Sequence, residues 1–179
     1  MSRIQPIQTA EAKGKAKELL EGVQAKIGMT PNMMKTMAQS PAVLEAYLGF
    51  SGALSRGGLS AQLREQIAIT VAQANSCEYC LSAHTTIGKM VGLKPEELAA
   101  SRQAQAAEAK ADAGLKFAQA LVVNRGLVSD NALAAVRAAG FSEAEITEVV
   151  ANVALNIFTN YFNHVTQTEV DFPVVKVQL

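Results

Sequence analysis

Cys77-Glu78-Tyr79-Cys80 holds the only two cysteines of this 179-residue chain, and His84, one of its two histidines, follows a helical turn later. Glu65 lies twelve positions before Cys77 (77 − 65) on an otherwise apolar run. A close dithiol with an imidazole and a carboxylate has the parts for thiolate chemistry. If a helix begins at Asn75-Ser76, both cysteines fall in its first turn, where unpaired N–H groups and the helix dipole favour thiolate over thiol. A thiolate beside a second thiol can attack an oxidant, become a sulfenic acid and close to a disulfide. The Cα separation across such a pair suits that bond. His84 is a helical-face neighbour of Cys80, placed to take its proton and return it to a leaving group. Ala61, Ala68, Ile69 and Ala72 surround Glu65 on its own face, and a partly desolvated acid there suits a proton relay. Tyr79 reads either as a packing aromatic or as a hydrogen-bond donor to the site.

The elements that must position these residues are helices. Thr30-Pro31 and Ser40-Pro41 each place a capping residue before a proline, Ser60 precedes a helical run, and Pro95-Glu96-Glu97 opens a short helix. Ser142-x-x-Glu145 fits a capping box, with Phe141 and Ile146 as its hydrophobic staple. Gly28, Gly92 and Gly140 mark helix ends. Leu59, Leu63, Ile67, Thr70, Val71 and Ala74 share one face, and Ile146, Val149, Val150, Val153 and Ile157 share another. The pattern predicts seven to nine helices and no appreciable sheet. The proline- and glycine-free stretch 99–113 predicts a surface helix or helical linker, and Val170–Leu179 an extended arm packing on a neighbouring surface.

Composition narrows the function classes. Net charge is zero and no basic patch is present, which argues against nucleic acid as a partner. No apolar run is long enough to span a bilayer and the N-terminus carries no secretory signal, so a cytoplasmic location is expected. In that reducing compartment a Cys-x-x-Cys pair is catalytic or metal-binding rather than a structural staple. Charged residues make up only 18% of the chain, below the globular average of about 25%, which favours burial of surface against further copies. Asn152, Asn156 and Asn160 recur at every fourth position with His164 beyond them. They form either a polar wall facing the active-site cavity or amides bonded across a helix–helix or subunit contact. Met29, Met33, Met34 and Met37 line a substrate entrance or fill gaps in the core or an interface.

Glu65, Cys77, Cys80 and His84, in this spacing, resemble the core motif of the alkylhydroperoxidase D-like (AhpD-like) proteins of the carboxymuconolactone decarboxylase superfamily. The resemblance covers roughly residues 45–125. Asn160-Tyr161-Phe162-Asn163-His164 and Asp171-Phe172-Pro173 are similar to a subgroup labelled peroxidase-related. By this resemblance Cys80 is the peroxide-attacking thiol, Cys77 resolves it, His84 is the base and Glu65 the relay acid. The well-described peroxidases carry a histidine immediately before the second cysteine. Tyr79 stands there instead, and a phenol cannot take a proton near neutral pH as imidazole can.

The resemblance implies an all-α, single-domain AhpD-like bundle, oligomeric as a trimer or hexamer. Within it lie an N-terminal helical extension (1–44), a redox core (45–125) and C-terminal helices with the arm (126–179). The expected activity is reduction of a hydroperoxide through a Cys77/Cys80 dithiol–disulfide cycle. No metal or flavin cofactor is expected, and a lipoyl-bearing or thioredoxin-like protein would restore the thiols. Two rivals differ in kind. A decarboxylase or lactone-processing enzyme of the same superfamily would not need the dithiol. A zinc-binding structural or interaction module would use Cys77, Cys80 and His84, with Glu65 or His164 as fourth ligand.

Overall fold

The computed structural model describes residues 2–177. Met1 and the last two residues of the expected arm, Gln178 and Leu179, lie outside them. Among the described residues there are nine helices and no strand: α1 (Gly14–Ile27), α2 (Asn32–Met37), α3 (Pro41–Leu54), α4 (Ala61–Ala74), α5 (Glu78–Met90), α6 (Pro95–Ser101), α7 (Ala109–Val123), α8 (Asp130–Ala138) and α9 (Glu143–Thr166).

The centre of the molecule is α4, which packs against α5, α6, α7 and α9. Gln66 to Ala72 are buried without a break, so this helix has no solvent face over two turns. It divides the interior in two. Ile69 and Ala72 join Leu20, Met37, Leu44 and Leu81 on one side; Ile67 and Val71 join Leu115, Val136, Val149 and Val153 on the other. Within that run Thr70 Oγ1 donates to the carbonyls of Gln66 at 3.0 Å and of Ser101 at 2.7 Å.

Several helix ends follow the sequence punctuation. Ser60 Oγ accepts from Leu63 N at 3.1 Å, and Ser142 with Glu145 forms a reciprocal capping box. Phe141 and Ile146 are both buried in the second core. Phe141 takes the space above Gly114, where a Cβ would stand 2.7 Å from its ring. Gly28, at φ 78°, closes α1 in the left-handed region that glycine favours.

Other expectations are corrected. Pro31 is the residue preceding α2, and Thr30 Oγ1 donates to Gln24 instead of capping; the first N–H of α2, from Asn32, is met by the remote Asp171 carboxylate at 2.7 Å. Ser40 stands at the start of α3 without a side-chain cap bond. The stretch 99–113 is not one helix: α6 ends at Ser101 and Ala104 turns left-handed at φ 54°, because its side chain is buried in the second core. Val150 is 45% exposed rather than part of the core face of α9.

The loop into α4 is anchored from α9. Glu148 accepts from Gly58 N at 2.9 Å and Leu59 N at 3.1 Å, and a Cβ on Gly57 would lie 2.5 Å from the same carboxylate. Glu148→Ala removes two charge-assisted bonds, and a loss of about 2 kcal/mol is expected. For a chain of this size that lowers the melting temperature by roughly 4–8 °C. A melt shifted by less than a degree would place the anchorage of this loop elsewhere.

Candidate active site

Cys77 belongs to two helix ends at once. Asn75 ends α4, and Ser76 sits in the left-handed region at φ 55°. Ser76 N then donates to Gln73 O at 3.1 Å and Cys77 N to Ala72 O at 2.8 Å. This is the paired closure of a Schellman motif, with serine where glycine is usual. Cys77 also caps α5, its Sγ accepting from Cys80 N at 3.4 Å. The expected start at Asn75-Ser76 therefore moves two residues on, and Cys80 is the cysteine inside the first turn. Both thiols are free and buried.

His84 stands one turn beyond Cys80, and its Nδ1 is 2.8 Å from Glu65 Oε2. The carboxylate accepts an N–H there, which fixes the tautomer and leaves Nε2 outside the pair. Burial lowers the His84 pKa, but the charge and hydrogen bond of Glu65 outweigh it and hold the imidazole above its usual value of 6.5. Cys80 moves the other way, to about 6: the hydrogen bond from Cys77 is the largest cause, opposed by burial and aided by the His84 charge and the amides of Asn163 and Asn160. The same shared proton, with burial, pushes the Cys77 thiol up. Near neutral pH the arrangement favours a thiolate at Cys80 and a thiol at Cys77, and Glu65 biases His84 toward its protonated form.

Cys80 and His84 line a cavity of about 500 Å³. Met29, Met33, Met34, Tyr47, Ile87 and Phe172 make much of its wall apolar. Met37 is buried in the core instead. Burial raises the Tyr47 phenol, so it stays protonated. Along the α9 side Asn152 and Asn156 line the cavity, their Nδ2 groups returned to the carbonyls of Glu148 and Asn152, both at 2.8 Å. Asn160 instead bonds across to Asn75 of the α4 terminus at 3.0 Å, so the asparagine column serves both of its expected uses. His164 is exposed. Among the described residues no group of three or more His, Cys, Asp or Glu side chains is gathered as a metal site.

Tyr79 is a latch. Its hydroxyl donates to Asp171 Oδ1 at 2.9 Å and accepts from Met33 N at 3.2 Å, and its ring meets Phe172 edge-on with centroids 5.8 Å apart. The extended segment after α9 thus lies across α5 of its own chain, with Val175 N donating to Ser82 Oγ at 2.9 Å. Asp171 and Asn163 are the residues that spacing around the cysteines did not single out. Asn163 Nδ2 lies 3.2 Å from Cys80 Sγ, and the one sequence signal for both residues is their place in the two C-terminal segments quoted for the subgroup resemblance.

Residues 41–121 match the model of the Carboxymuconolactone decarboxylase family. An uncharacterized peroxidase-related protein from Ralstonia eutropha with an alkylhydroperoxidase AhpD core is 25% identical, with a TM-score of 0.84 over 95% of this chain and 92% of that one. A peroxidase-related protein from a Silicibacter species is 23% identical, with a TM-score of 0.81 over 93% and 92%. A cysteine-to-alanine variant of the debrominase Bmp8, in complex with 2,3,4-tribromopyrrole, is 20% identical, with a TM-score of 0.82 over 96% and 92%. No match is found among curated proteins. These findings support the resemblance to AhpD-like proteins of the carboxymuconolactone decarboxylase superfamily, and the fold is of that type. Among the described residues no helix is long and apolar enough to cross a membrane.

The site sets a titration. Iodoacetamide labelling of the reduced protein, located by peptide mass spectrometry, should fall on Cys80 with a midpoint near pH 6. Labelling is present above that value and lost as the thiolate takes up its proton below it. Cys77 should stay unlabelled at pH 7. A Cys80 midpoint near the ordinary thiol value of 9 would remove the thiolate from the site.

Proposed function

We propose that this protein is a thiol-dependent, peroxidase-type oxidoreductase that reduces organic hydroperoxides through Cys80 and Cys77. The observation that carries the reading is the division of labour within the pair. Cys80 opens on the cavity with a lowered pKa, while Cys77 stands behind it as a buried thiol.

In the first step the Cys80 thiolate attacks the terminal oxygen of the hydroperoxide. An S–O bond forms, the O–O bond breaks, and the alkoxide takes a proton from His84 to leave as the alcohol. Glu65 holds the imidazole in register and stabilises its charged form. Cys77 then attacks the Cys80 sulfenic acid, and its proton departs with the hydroxide as water while the disulfide forms. A dithiol donor returns both sulfurs to thiols. The disulfide would lie at the end of a cavity, which suits a slender carrier such as a lipoyl arm more than the flat surface of a thioredoxin-like protein. An exposed apolar stripe on α9, Phe158, Tyr161 and Val165, supports assembly into a trimer or hexamer.

The apolar cavity supports a second reading, reductive dehalogenation of a halogenated aromatic compound, the class of molecule bound by the debrominase neighbour. There the thiolate would take the halogen, breaking the carbon–halogen bond. His84 would protonate the ring carbon, and Cys77 would displace halide as the disulfide forms. Released bromide separates the two readings.

Exposure to cumene hydroperoxide should give a Cys77–Cys80 disulfide by peptide mapping, and the Cys77→Ser variant should trap a sulfenic acid at Cys80. Free thiols at both positions under excess oxidant would refute the cycle. Glu65→Gln keeps the shape of the side chain but cannot hold the imidazolium charge. The rate of Cys80 oxidation should fall by roughly ten- to a thousand-fold, with the melt little changed. An unchanged rate and pH profile would make Glu65 a structural partner of His84 only.

A further inference from the structure

We propose that the side-chain amides of Asn160 and Asn163 form a cradle for the Cys80 sulfur through its reaction cycle, which makes both of them catalytic residues. This rests on the thiol chemistry assigned above and adds two groups to it from a helix remote in sequence.

The two residues are three apart on α9 and therefore share a face. Asn160 is fully buried and Asn163 is 5% exposed. Asn163 Nδ2 has two sulfur neighbours, Cys80 Sγ and Met33 Sδ, each at 3.2 Å. Asn160 Oδ1 is held by Asn75 Nδ2 at 3.0 Å, which fixes the orientation of that amide. Its Nδ2 is left buried with no hydrogen-bond partner, and so is Asn163 Oδ1. Native interiors keep few such orphans, because each gives up water for nothing. Here both orphans belong to the two amides beside the reacting sulfur.

The reacting sulfur accounts for both atoms. A neutral thiol is a weak acceptor and does not repay the Asn160 donor. A thiolate is a strong one, and hydrogen bonds to a charged acceptor shorten and strengthen. Both amides accordingly favour the charged form of Cys80. When Cys80 becomes a sulfenic acid, its new O–H supplies the donor that Asn163 Oδ1 lacks in the thiol form. The cradle thus stabilises the nucleophile before attack and the intermediate after it. Asn75 ties the cradle to the junction that sets Cys77, so donors and thiols keep one geometry.

The groups with charge or titration around Cys80 and its cavity are Tyr47 from α3, Arg64 and Glu65 from α4, Cys77, Tyr79 and His84 at and within α5, and Asp171 from the C-terminal segment. None is changed by altering the asparagines. The test is the pH dependence of Cys80 alkylation by iodoacetamide in the full-length reduced protein, with thermal melts alongside, for Asn160→Ala, Asn163→Ala and Asn163→Leu. Loss of either amide should move the Cys80 midpoint upward by about one unit, a roughly tenfold loss of labelling rate at pH 5. In Asn163→Leu the orphan acceptor is replaced by an apolar group of similar shape, so the melting temperature should hold or rise while the midpoint still moves up. In a Cys77→Ser background, Asn163→Leu should also shorten the lifetime of the Cys80 sulfenic acid toward dimedone. Unshifted midpoints in folded Asn160→Ala and Asn163→Leu proteins would overturn the proposal and leave the amides as packing. Alkylation involves no peroxide, so shifted midpoints in a protein inert to hydroperoxides would uphold the cradle and sink the peroxidase reading instead.

Discussion

The geometry of the site depends on Cys77 closing one helix and opening the next. Its N–H completes the end of α4 and its sulfur receives the N–H of Cys80. Only a left-handed Ser76 separates it from the last residue of the Asn75 terminus, and for a non-glycine residue that conformation carries a cost of order 1–2 kcal/mol. The surrounding hydrogen bonds hold it there. Because α4 is clamped between two cores, the junction cannot shift without moving apolar side chains on both sides, so Glu65 and His84 meet at 2.8 Å as a consequence of helix packing.

Around that junction the shifts run in opposite directions, the Cys80 thiol down and the His84 imidazole up. An isolated thiol and an isolated imidazole would be mismatched near neutrality, the one mostly protonated and the other mostly neutral. Glu65 favours the protonated form of His84, while the hydrogen bond from Cys77 and the His84 charge favour the thiolate of Cys80. Much of the cavity wall is built from thioethers and apolar side chains, with the protonated Tyr47 phenol among them. The α9 side of the cavity adds the amides of Asn152 and Asn156, which hydrogen-bond but do not titrate.

The side chains gathered at the candidate site were legible in the sequence because their signals are local or nearly so. Cys77, Cys80 and His84 lie within eight residues, and Glu65 reports its place through the apolar neighbours of its own helix. Helix ends marked by Ser60, Gly28 and the Ser142–Glu145 box rest on contacts within one turn and were legible for the same reason. Asp171 capping α2 was not, because the bond joins residues 139 positions apart. Asn163 reaches Cys80 across 83, and nothing in a run of asparagines tells which amide faces a sulfur. The region 99–113 misled for a different reason: local helix propensity favoured continuation, and burial of Ala104 in a tertiary core overrode it.

The helix that divides the interior also decides what counts as a unit of this protein. The segment that matches the family, residues 41–121, contains α3 to α6, all but the end of α7, and Glu65, Cys77, Cys80 and His84. It omits α9, which covers one flank of α4, and α2, which walls the cavity. Excised, that segment would present Ile67 and Val71 to water where Val149 and Val153 had been. The recognisable stretch of sequence is a chemical signature and not a separable body. A chimera that exchanged it between relatives would have to carry the matching face of the last helix with it.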